Sequence, residues 1–129
     1  MEKLIEKVVS AVEKKKFLKD TKTPESLREY FYSNFIEPIK EKVVSISEDS
    51  FEKVDHNTGY AITLADKKIF VSTPIGSRET CFGIYDEVED RNIIKLTVYH
   101  GHENSKVGLN GKLVDLEPSD LYNFLDELF

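Results

Sequence analysis

The sequence predicts an α+β domain, with helices from both ends packed on one face of a central antiparallel β-meander. Three observations predict it. Apolar residues recur at helical spacing near the start and the end of the chain. In between, the apolar period drops to two, the period of a half-buried strand. The strand-like runs are joined by short turns with no room for crossover helices, which argues against a parallel sheet.

The 129 residues suit a single domain spanning 1–129. A chain of this length buries roughly two-thirds of its unfolded surface, enough for a core without disulfides or metals. Eight Phe and six Tyr argue for a folded chain, because disordered ones are poor in aromatics.

Residues 2–18 read as an amphipathic helix, with Leu4, Ile5, Val8, Val9 and Val12 on one face. Thr23-Pro24-Glu25 is a helix start: a capping hydroxyl, a proline suited to the first helical position, and an acid at the positive helix end. Leu27, Tyr30, Phe31, Phe35 and Ile39 continue at helical spacing. Pro38 is expected to kink this helix or end it near Glu37. Residues 40–54 are readable as helix or as strand.

About five to six strands follow. Tyr60, Ile62 and Leu64 alternate with smaller residues, and Asp66-Lys67 turns into 68–73. Residues 80–88 alternate again, with Phe82, Ile84 and Val88 on one face, and Glu89 to Asn92 turn into 93–100. Asn110-Gly111 supplies the two positive-φ residues of a tight hairpin joining 106–109 to 112–116. A last helix starts near Pro118 or Ser119, with Leu121, Phe124, Leu125 and Leu128 on its apolar face.

The net charge is −6. An acidic bulk repels a phosphate backbone, so nucleic-acid binding is disfavoured. The exception is the first segment, where Lys14, Lys15, Lys16, Lys19 and Lys22 cluster near the helix end. Segment 117–129 carries four acids and no base, and could pair with that cluster within the chain or across a homodimer. The lone Cys81 cannot form an internal disulfide, which fits a reducing compartment and a cytoplasmic location. The first ten residues lack the continuous apolar run of a secretory signal, and no run is long enough to span a membrane.

For chemistry, His100-Gly101-His102 is the first candidate, because two imidazoles at a strand end could act as acid and base or as metal ligands. His56, beside Asp55, is the third histidine. These three would serve a small hydrolase or phosphodiesterase, metal-assisted or not. The loop holding Ser77 and Arg78 could meet an anion with backbone donors and a guanidinium, but it lacks any phosphate-loop pattern. No nucleophile motif is present, and no cofactor is called for. Asp86, Glu87, Glu89 and Asp90 gather around one turn, which reads first as a solvated hairpin end and second as a docking patch for a partner with a basic surface. Tyr85 and Tyr99 are candidate contacts, since Tyr is favoured at interface hot spots. The leading expectation is therefore a small protein-binding module: an adaptor, inhibitor, immunity or chaperone-like protein.

Overall fold

The computed structural model describes residues 1–128. Four α-helices and one sheet follow in the order α1 (Glu2–Asp20), α2 (Pro24–Phe31), α3 (Glu37–Ile46), strands β1 to β7, and α4 (Pro118–Asp126). The strands are β1 (Phe51–His56), β2 (Gly59–Leu64), β3 (Lys67–Ser72), β4 (Glu79–Asp86), β5 (Arg91–His100), β6 (Ser105–Leu109) and β7 (Lys112–Asp115). Each pairs antiparallel with the next, so sheet order equals chain order. This is the expected α+β meander, with one strand more than the sequence suggested. The strand that sequence reading left open is β1, an edge strand whose charged Glu52, Lys53, Asp55 and His56 hide its strand character while blunting the edge against further pairing.

Two turns follow from local backbone chemistry. Asn110 and Gly111 take φ of 51° and 79°, the left-handed pair that a tight hairpin requires. The β2–β3 turn places Ala65 at φ 54°, a conformation that L side chains resist.

Residues 24–46 form one continuous helical rod with a wide π-turn at Tyr32–Ile36. Thr23 caps it: its hydroxyl accepts from the Ser26 N–H at 3.1 Å, and the Ser26 hydroxyl accepts from the Thr23 N–H at 2.9 Å. The π-turn is the answer to Pro38, which neither ends the helix nor forces a strand after it. Proline has no N–H, and its ring presses on the carbonyl four residues back. Widening the turn lets the Glu37 N–H reach the Tyr32 carbonyl and carries the chain past the obstruction.

The core lies between the helices and one face of the sheet. Phe31 meets Phe82 and Phe124 edge-on, with ring centroids 5.0 and 6.1 Å apart, and stacks on Phe35 at 5.7 Å. Leu27, Ile36, Ile62, Ile69, Ile84, Leu116 and Leu121 are among the other side chains buried in it. Val88, expected on the face of Phe82 and Ile84, instead sits exposed in the β4–β5 turn. Helix α1 also departs from expectation. Its apolar face does not pack on the sheet; Phe17, edge-on to Tyr30 at 5.2 Å, anchors it, with Leu18 packed against the core beside it.

Candidate functional site

The three histidines occupy separate environments. His56 is exposed at the end of β1, and His102 is exposed in the β5–β6 turn. His100 is buried, 8% exposed, at the end of β5. His56 ends β1 and His100 ends β5, with β2, β3 and β4 between them in the sheet. Among the described residues no group of three or more His, Cys, Asp or Glu is arranged to hold a metal ion.

Both ring nitrogens of His100 are occupied. Nε2 lies 2.8 Å from the Thr80 hydroxyl, and Nδ1 lies 2.8 Å from the Ser105 hydroxyl. Ser105 donates its single proton to the Thr21 carbonyl at 2.8 Å, so it accepts from Nδ1–H. Nε2 is then left to accept from Thr80. Thr21 in turn donates to the Phe17 carbonyl at 2.8 Å. The chain of bonds fixes one neutral tautomer. Burial pushes the His100 pKa below its usual value; the Lys22 carbonyl and Glu25 oppose this, and Arg28 adds to it. The network fastens the end of α1 to β4, β5 and β6, a structural use of the imidazole.

His56 lines an open cleft of about 400 Å³ between α2 and the β1–β2 hairpin. Its other walls include Glu25, Arg28, Tyr32, Lys53 and Tyr60. The cations are engaged. Arg28 donates to the Thr73 hydroxyl. Lys53 sits over the Tyr32 ring at 4.2 Å and 3.3 Å from the Asp55 carboxylate. Tyr60 donates to the Arg28 carbonyl at 2.8 Å, and burial pushes its pKa far up. This cleft was not legible in the sequence. Its one advance signal was Pro38, whose π-turn shapes the wall carrying Tyr32.

The remaining candidates fall on two hairpin regions. In the β3–β4 loop, Ser77 accepts from the Glu79 N–H at 3.0 Å, while Arg78 is exposed. In the β4–β5 hairpin the acids have partners within the chain. Asp86 is buried and accepts from the N–H groups of Val88 and Glu89 at 3.0 and 3.4 Å, with Lys67 at 3.6 Å. Desolvation pushes its pKa up, but the Glu89 and Val88 bonds and Lys67 outweigh it, and the net direction is down. Glu87 pairs with Lys68, Glu89 with Arg91 at 3.8 Å, and Asp90 accepts from the Tyr85 hydroxyl.

The sheet face turned away from the helices carries a hollow of its own. Alternation decides its membership: Thr80, Phe82, Ile84 and Asp86 of β4 point inward, so Glu79, Cys81, Gly83 and Tyr85 point outward. Across the strands, Val54, Ala61, Phe70, Gly83 and Lys95 stand in one row. Gly83 opens a gap in it, because a Cβ there would meet nothing within 4 Å. The result is a hollow of about 430 Å³ lined by Phe70, Ser72, Cys81, Gly83, Asn92 and Lys95 among others. Phe70 is 42% exposed and Tyr99, on the same face, 38%.

No family model, no curated protein and no solved structure matches the chain. Among the described residues, no helix is long and apolar enough to cross a membrane.

Proposed function

We propose that this protein is an interaction module that binds another protein across the uncovered face of its sheet. The observation that carries the reading is the hollow at Gly83, rimmed by Phe70 and Cys81 and continuing toward Tyr85 and Tyr99 on the same face. A partner would fill it with an apolar or aromatic side chain and set an acidic group near Lys95. Aromatic rims around a desolvated pocket are where interface energy concentrates. The acidic hairpin supports this role less well than the sheet face does, since its carboxylates are already paired within the chain. Cys81, a thiol lining the hollow, suits a reducing compartment such as the cytoplasm.

Gly83→Arg tests the reading. The added Cβ meets nothing within 4 Å, so the fold should be kept, with a loss of no more than about 1 kcal/mol from the positive charge set across from Lys95. Affinity capture from native lysate should return a partner with the wild-type chain and lose it with Gly83→Arg. A partner captured equally by both would overturn the sheet-face assignment.

A further inference from the structure

Two aromatic rings and a carboxylate meet in the cleft beside His56. Tyr32, the first residue of the π-turn, and Tyr60 of β2 stand nearly perpendicular, with ring centroids 5.9 Å apart and planes at 79°. The Lys53 ammonium lies over both rings, 4.2 Å from the Tyr32 centroid and 5.2 Å from that of Tyr60. A cation within about 6 Å of an aromatic face is drawn to the ring's negative quadrupole, and several faces together form the cages that recognise organic ammonium groups. Lys40 over Phe51 at 5.5 Å is the ordinary one-ring contact. The corner at Tyr32 and Tyr60 differs in having two walls and an acid, since Asp55 lies 3.3 Å from the same ammonium.

Lys53 is loosely secured there. β1 is the outer strand of the sheet, so this side chain can swing over the edge into water without disturbing the core. Asp55 is 79% exposed, and an ion pair in water contributes little. With Lys53 withdrawn, Glu25, Glu29 and Asp55 line the cleft against Arg28, which the Thr73 hydroxyl already engages. An aromatic corner in an acidic cleft of about 400 Å³ suits a small positive group.

We propose that this cleft binds an organic ammonium group, seated on the Tyr32–Tyr60 corner and paired with Asp55, and that Lys53 is its built-in competitor. The incoming group takes the place of the Lys53 ammonium, which moves out over the sheet edge. The corner is open only while Lys53 is out, so the apparent affinity is lowered by that open fraction. Lys53 stands opposite Ile62, whose side chain is buried under the helices, so the site lies on the helix side of the sheet. It is therefore independent of the hollow at Gly83.

The test titrates the full chain with n-butylammonium chloride and with an end-blocked Gly-Gly-Lys-Gly-Gly peptide. Sodium chloride at equal ionic strength is the reference, and amide NMR shifts are the readout. Shifts should centre on Tyr32, Asp55 and Tyr60. Lys53→Ala should bind roughly threefold or more tightly than the wild type. In that background Tyr32→Leu, which removes one wall, should weaken binding. So should Asp55→Asn, an exposed change that keeps the fold. Tighter binding of the peptide points to a protein lysine as the source, tighter binding of butylammonium to a small amine, and equal binding to the ammonium group alone; each supports the proposal. Failure of both probes to shift these residues in the Lys53→Ala chain overturns it. So does binding that Tyr32→Leu and Asp55→Asn leave unchanged, or a wild type that binds as tightly as Lys53→Ala.

Discussion

The polar knot around His100 and the apolar stripe on α1 invert the usual arrangement in opposite directions, and they sit at the two ends of one helix. At the C-terminal end of α1 a histidine, two threonines and a serine are buried. At the N-terminal end large aliphatic side chains stand in water. The difference is in the bookkeeping of hydrogen bonds. A buried polar group is tolerated when every donor finds an acceptor, and here the chain from Thr80 through His100 and Ser105 to Thr21 and Phe17 is complete. No buried side-chain nitrogen or oxygen among the described residues lacks a partner. The stripe has no such internal resolution. One end of α1 is thus finished by the fold itself, and the other keeps its apolar side chains exposed.

The strongest way to break the contrast is to delete the centre of the knot. His100→Ala leaves a cavity under β4 to β6 and removes the bonding partner of Thr80 and the donor to Ser105. The expected cost is about 3 kcal/mol, read as a shift in the denaturation midpoint at constant slope. A loss under about 1 kcal/mol would show that water or a relaxed core replaces the imidazole readily.

Protonation attacks the same point more gently. In the folded state the His100 pKa lies below the usual imidazole value of about 6.5, mainly through burial. The unfolded chain then binds a proton more readily than the folded one between the two values. Stability therefore rises with pH through that window, and falls as pH drops below about 6.5. Denaturation midpoints of the wild type at neutral and mildly acidic pH should separate, and His100→Ala should shrink that separation.

What was readable from the sequence follows the same division. Period-two alternation placed β2 and β4, turn residues placed β3 and β5 after them, the Asn110-Gly111 pair placed the last hairpin, and Thr23-Pro24 placed a helix start, because each rests on local stereochemistry. The outcome at Pro38 was not local. A π-turn and a helix break satisfy the same missing N–H, and the packing of Phe35 and Ile36 on the core selects the former. Strand β1 was obscured because only one side chain in it, Phe51, packs against the core. The candidate histidines were legible as residues but not as roles. Gly101 gives no hint that His100 turns inward toward a serine five residues on and a threonine two strands' length away in sequence. The sheet-face hollow was invisible, since it depends on a glycine standing beside Phe70 and Lys95 in neighbouring strands.

The smallest expected effect tests the other half of the contrast. Truncating a buried valine ordinarily costs well over 1 kcal/mol through lost transfer energy and a residual cavity. Val8→Ala on the stripe should change the stability of the monomeric chain by no more than about 0.5 kcal/mol, because Val8 is already solvated and alanine is the better helix former. Chemical denaturation read at constant slope checks it. A loss above about 1 kcal/mol would mean that Val8 packs against the body, and the contrast between the two ends of α1 would then fail.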